Sequence, residues 1–116
     1  MKSPNFVFIM ADDHAVNAIS AYGSSLINTK NIDRLASDGM CFTHCYTTNS
    51  LCAPSRAAIL TGTYNHVNGV HTLKTKLSSI FPNFVKHLQR AGYSTGIIGK
   101  WHLGDDKASE PPGFDH

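Results

Sequence analysis

Apolar residues fall along this chain in short runs separated by polar, turn-rich stretches. Asn5-Phe6-Val7-Phe8-Ile9-Met10 is continuous and apolar, as a central parallel strand covered on both faces would be. Residues 12–28, with Gly23, Ser24, Ser25 and Asn28, read as a loop holding a short helical turn. Thr29 to Gly39 has helical spacing. Ile32 and Leu35 are expected to face the core, with Asn31 or Thr29 as cap and Gly39 as stop. Met40 to Tyr46 predicts a second strand, and Thr47 to Leu51 the loop that delivers Cys52. A helix from Pro54 through Leu60 ends at Thr61-Gly62. Residues 63–79 form a long polar loop with His66, Gly69 and His71. Phe81 to Ala91 is an amphipathic helix through Phe84, Val85 and Leu88, stopped by Gly92, and Ser94 to Ile98 predicts a third strand. Trp101 to His116 is loop, with Pro111, Pro112 and Gly113.

Strands alternating with helices imply an α/β fold: a parallel sheet flanked by helices. Ligands of such sheets bind beyond the carboxyl ends of the strands. Asp12 and Asp13 follow the first predicted strand, Cys52 the second, and Lys100 and His102 the third. The topology is therefore expected to gather these five residues at one edge. No internal repeat, low-complexity segment or domain boundary is apparent.

With 116 residues the chain holds one domain at most. A net charge of +2 is too small to argue for nucleic acid or an acidic membrane, and Lys74 and Lys76 suit a solvated loop. No apolar run approaches the length of a membrane span. Met1-Lys2-Ser3-Pro4 leads straight into a strand pattern with no signal peptide visible, which fits a cytoplasmic chain as written, a mature form or a misannotated start. Three cysteines fit a reducing compartment or a functional thiol better than a disulfide framework. Cys41, His44, Cys45 and Cys52 lack a C-x-x-C pair, and Cys41 and Cys45 are expected to be small core residues of the second strand.

Cys52-Ala53-Pro54-Ser55-Arg56 puts a cysteine just before a proline and an arginine at the start of a helix. A cysteine there meets the positive end of the dipole, free backbone N–H groups and a guanidinium. That environment suits an anion and an activated nucleophile. A buried, inert cysteine is the usual alternative for a single cysteine. The string through Ala57-Ala58-Ile59-Leu60-Thr61-Gly62 resembles the sulfatase signature, C-x-P-S-R followed by a short helix and T-G. Gly92-Tyr93-Ser94-Thr95-Gly96-Ile97-Ile98-Gly99-Lys100-Trp101-His102-Leu103-Gly104 is similar to the family's G-Y-x-T-x-x-x-G-K-x-H block. The first strand running into Asp12-Asp13 is a third motif, and the three stand in family order.

The resemblance implies an alkaline-phosphatase-like α/β/α fold, of which residues 1–116 are the amino-terminal portion. It implies a sulfuric ester hydrolase acting on a sulfate ester, and the stretches Ala15 to Gly23 and Thr48-Asn49-Ser50 look most like sulfatases of glycosaminoglycan-type sugars, such as N-acetylglucosamine-6-sulfatases. Asp12 and Asp13 would ligate Ca²⁺ or Mg²⁺, with Cys52 as a third ligand once modified. In the family a maturing enzyme converts this cysteine to Cα-formylglycine, and Pro54 and Arg56 match its recognition pattern. One hydroxyl of the hydrated aldehyde attacks sulfur, and the other collapses the sulfated intermediate and expels sulfate. Arg56 would hold that hydroxyl, Lys100 would bind sulfate oxygens, and His102 would act as a base. Trp101 is expected to pack. His14, His66, His71, His87 and His116 have no motif support, although His66 and His71 could line the pocket. The family's further Asp and Asn or His at the metal, and its His and Lys near the leaving group, cannot be located in these 116 residues. The isolated chain is therefore expected to turn over little. A phosphonate or phosphate ester hydrolase of the same superfamily, and a non-catalytic truncated fragment, are the competing readings.

Overall fold

A computed structural model describes residues 3–104 and 111–116. The chain divides into two compact units, Met1–Cys45 and Tyr46–His116.

In the first unit, two 3-10 turns, Val16–Ala18 and Ser20–Tyr22, precede helix α1, Lys30–Asp38. Thr29 is the N-cap of α1, and Gly39 follows its last residue. Hydroxyls fasten α1 to the second turn. Ser20 Oγ donates to Asp33 Oδ2 at 2.6 Å and Thr29 Oγ1 to Asp33 Oδ1 at 2.8 Å. The Ser20 amide reaches Thr29 Oγ1 at 3.0 Å, and the Thr29 amide reaches Ser20 Oγ at 2.8 Å. These hydrogen bonds, led by that from Ser20, hold the Asp33 carboxyl below the usual aspartate range. Ile32 and Leu35, expected to face the core, are exposed. A row of hydroxyls, not an apolar stripe, sets the seat of α1 within this unit. Cys41 and Cys45 are likewise exposed thiols and not core residues.

The second unit holds α2, Cys52–Thr61, α3, Asn65–Asn68, and α4, Phe84–Arg90. Ala53, Ala57 and Leu60 of α2, Val70, Val85 of α4 and Leu103 form its core, with Leu77, Trp101 and Phe114 packed against it. Two alanines four residues apart keep one side of α2 small, so neighbouring segments approach its backbone closely. Gly62, at φ 65°, takes the left-handed position that ends α2, as its place in the sequence predicts. The loop expected over 63–79 contains α3. Asn65 Nδ2 donates to the Pro54 carbonyl at 2.8 Å, and the buried Asn68 bonds the Thr63 carbonyl at 3.1 Å and the Val70 amide at 3.0 Å. α4 is shorter than the predicted Phe81–Ala91, because Asn83 caps it through the Lys86 amide at 2.9 Å. Of its expected apolar face, Val85 is buried and Phe84 is exposed.

None of the three expected strands, over 5–10, 40–46 and 94–98, forms among the described residues, so the expected parallel sheet is absent there. A helix satisfies its own backbone, whereas a strand exists only where a second strand pairs with it. The first run illustrates this: Val7 and Ile9 are 84% and 82% exposed. Residues 94–98 find a partial substitute in the last residues described. Asp115 donates its amide to the Thr95 carbonyl at 2.8 Å, and Ile97 donates to the His116 carbonyl at 2.9 Å.

Candidate active site

α2 begins on the candidate nucleophile. Leu51 is the N-cap, Cys52 the first helical residue and Pro54 the third. The first intrahelical bond runs from the Ser55 amide to the Leu51 carbonyl at 2.9 Å. Pro54 therefore occupies a position whose N–H would have no helical acceptor, and its ring costs the helix nothing. The amides of Cys52 and Ala53 point out of the helix start, where backbone donors and the dipole favour negative charge. Ala53 and Pro54 are buried and Cys52 is half-buried, so the thiol stands at the rim of a rigid support.

Arg56 lies one turn after Cys52 on the same face of α2. Its Nη1 donates to the Lys100 carbonyl at 2.5 Å, joining the helix to the loop of residues 99–104. That loop is pinned at alternate residues. Leu103 is buried, and its carbonyl accepts from the Leu77 amide at 3.0 Å. Trp101 meets Phe114 edge to face, with ring centroids 6.1 Å apart and planes at 82°, which is the packing role expected of it. The two residues with expected chemistry flank Trp101: Lys100 is exposed and His102, between Trp101 and Leu103, is half-buried.

His102 carries two signs of constraint. Its φ is 57°, in the left-handed region that costs a residue with a Cβ about 1–3 kcal/mol. Its Nδ1 is buried with no hydrogen-bond partner among the described residues. A ring so placed keeps an uncommitted nitrogen, which suits a group that takes and releases a proton.

The second unit thus brings Cys52, Arg56, Lys100 and His102 onto α2 and the loop bonded to it. Asp12 and Asp13 belong to the first unit. Both are exposed, and Asp13 has a φ of 51°, a backbone position uncommon for any residue but glycine. Two successive carboxylates are hard oxygen donors of the kind that Ca²⁺ and Mg²⁺ take, so the donor chemistry fits such an ion. His66 is exposed and stacks on Tyr64, with centroids 5.9 Å apart. Sequence reasoning missed the supports of the site: Asn65, Asn68, Leu77 and the segment 111–116. The two asparagines just before Gly69 were legible as turn chemistry, but their partners eleven and five residues upstream were not.

The sulfatase family model matches residues 4–116. The N-acetylglucosamine-6-O-sulfatase of Bacteroides thetaiotaomicron is 50% identical over 115 residues, covering 99% of this chain and 20% of that protein. Human arylsulfatase H is 43% identical over 118 residues, covering 91% of this chain and 21% of that protein. A structure solved in complex with its substrate D-glucosamine-2-N,6-O-disulfate superposes with a TM-score of 0.92 at 50% identity, over 99% of this chain and 22% of that one. The chain spans about a fifth of the length of the curated relatives it matches. A family model that runs from Pro4 to the last residue, through both units, accounts for all three motifs at once, and the chain belongs to the sulfatase family.

Proposed function

We propose that the protein built on this chain hydrolyses sulfate esters of sugars, with Cys52 matured to formylglycine as its nucleophile. The observation that carries the reading is the hydrogen bond from Arg56, one turn after Cys52 on α2, to the Lys100 carbonyl, which joins the signature helix to the Gly99–Gly104 loop. Similarity to an N-acetylglucosamine-6-O-sulfatase over nearly the whole chain favours a 6-sulfated glucosamine unit of a glycan.

Asp12 and Asp13, together with the modified Cys52, would hold a divalent cation, Ca²⁺ before Mg²⁺, and that ion supplies positive charge to the sulfate oxygens. The formylglycine supplies a hydroxyl for attack at sulfur and a second hydroxyl whose loss of a proton releases sulfate. Arg56 holds the Cys52-derived hydroxyl and offsets negative charge at the helix start, a task its permanent charge and forked donors suit. Lys100, on the exposed side of its loop, binds sulfate oxygens. His102, with its ring nitrogen uncommitted, accepts the proton of the Cys52-derived hydroxyl. In this reading the chain is the amino-terminal portion of the catalytic domain, it meets a formylglycine-generating enzyme as partner, and the 116 residues alone turn over little.

The test is release of sulfate from 6-O-sulfo-N-acetylglucosamine by the full-length protein, co-expressed with a maturing enzyme and supplied with calcium. Mass spectrometry of the Cys52 peptide gives the fraction converted. Turnover should be lost by about 10³-fold or more in Cys52→Ala and Asp13→Ala. Converted protein that releases phosphate from the matching phosphate ester faster than sulfate would replace this reading with a phosphoester hydrolase. Protein that stays unconverted beside an active maturing enzyme would remove the nucleophile.

A further inference from the structure

The segment Pro111–His116 touches the predicted chemistry only at second hand, yet it is held by several hydrogen bonds to α4 and to Thr95. Asp115 Oδ2 accepts the Thr95 amide at 2.8 Å and faces Thr95 Oγ1 at 3.1 Å. Asp115 Oδ1 accepts Gln89 Nε2 of α4 at 2.6 Å. The Thr95 side chain is buried, and its hydroxyl also reaches the Gly113 carbonyl at 2.8 Å, so one proton is shared between two acceptors of the same segment. Asn83 Nδ2 holds the Pro112 carbonyl at 3.2 Å. Gly113, at φ +101°, lies so close to α4 that a Cβ there would stand 3.0 Å from Lys86 Cγ and 3.1 Å from the Lys86 amide nitrogen. Between Gly113 and Asp115 sits Phe114, whose ring meets Trp101. Trp101 in turn separates Lys100 from His102.

We propose that Asp115 is a positioning residue: by tying the backbone of Thr95 to α4 it fixes Phe114 against Trp101, and so sets the stance of Lys100 and His102. This rests on the roles given to those two residues above. The loop of residues 99–104 is also held at the Lys100 carbonyl and at Leu103. Trp101 is the held residue that adjoins both Lys100 and His102, and the left-handed backbone of His102 needs its surroundings to over-determine it. Both Asp115 oxygens accept from N–H donors. An asparagine there sets donor against donor if its NH₂ faces the Thr95 amide, keeps the Gln89 bond only if Gln89 flips its own amide, and in either case loses the carboxylate charge that strengthens both bonds. The single substitution Asp115→Asn therefore loosens the strap with almost no change of volume.

The experiment compares the full-length matured protein with its Asp115→Asn and Phe114→Leu variants by two readouts. Hydrogen exchange of the peptide covering 99–104 should speed up by about tenfold or more in each variant, while the peptide covering α2 keeps its protection. Sulfate turnover per formylglycine should fall about 10- to 100-fold in Asp115→Asn, as expected for misplaced catalytic groups. In a His102→Ala background the same substitution should cost clearly less than it does alone, since the part of the positioning effect that acts through the His102 ring is gone. A merely structural role would leave the two losses additive. Exchange of 99–104 that is unchanged in both variants overturns the proposal, as does a wild-type kcat for Asp115→Asn in an active protein. The exchange readout needs no turnover, so converted wild-type protein that releases no sulfate would sink the proposed function and leave this test standing. If Asp115→Asn fails to fold, Phe114→Leu carries both readouts.

Discussion

Single residues in this chain are held in place by hydrogen bonds that cost little volume. Asp33 shows the consequence for pH. Its carboxylate accepts from Ser20 Oγ and Thr29 Oγ1, and those bonds lower its affinity for a proton in the folded state. A folded pKa below the unfolded one means that the unfolded chain binds the proton first, so the stabilisation is complete above the ordinary aspartate value. It is lost as pH falls through that value, about 4, toward the lower folded one. Denaturation midpoints measured from pH 7 down to pH 3 should therefore fall more steeply for the natural protein than for Asp33→Asn. Parallel slopes would mean that Asp33 is not the group responsible. Cys52 and His102 obey a different logic. Their placement is governed by what surrounds them: a proline-started helix for one and a loop pinned on both sides for the other.

At the scale of elements, the helices behave as their capping chemistry dictates. α2 starts at Cys52, two residues before the expected Pro54, which still costs nothing as its third residue, and it stops at the left-handed glycine that the string from Cys52 to Gly62 predicts. α4 depends on Asn83. This buried side chain accepts the Lys86 amide and donates to the Pro112 carbonyl, so it serves the helix start and the strap together. Asn83→Ala should cost about 1–2 kcal/mol of stability, read as a shift in the urea midpoint. The effect should be felt in the exchange of residues 111–116 as well as of α4. A loss confined to α4 would show that the two are not coupled through Asn83.

On the scale of the whole molecule, the apolar runs are the strongest constraint. Val7, Phe8 and Ile9 are exposed in the first unit, and Ile98 in the second. Exposed apolar segments of high β-propensity invite pairing with another chain. The 116-residue chain on its own should therefore self-associate at micromolar concentration, seen by light scattering or sedimentation. Charged substitutions at Val7 and Ile9 should suppress this, and a monomer at high concentration would show that these runs are protected. The same runs mark the boundary between what a sequence can and cannot settle. The order of the three motifs and the end of α2 at Gly62 were readable from residue types and spacing, and Arg56, Lys100 and His102 became candidates beside Cys52 through the resemblance of their motifs to the sulfatase family. Such features rest on local rules: caps, proline and glycine geometry, and the charge of a guanidinium. The strands over 5–10, 40–46 and 94–98 were equally strong as patterns and do not form among the described residues, because an apolar run states a preference and only a paired neighbour turns it into a strand. Nor could spacing show that Arg56 would hold the carbonyl of Lys100, 44 residues away, or that Asp115 would close on Thr95, 20 residues away. Contacts at that separation are chosen by packing, since any of several acceptors would satisfy the same donor and only the folded backbone brings one of them within reach.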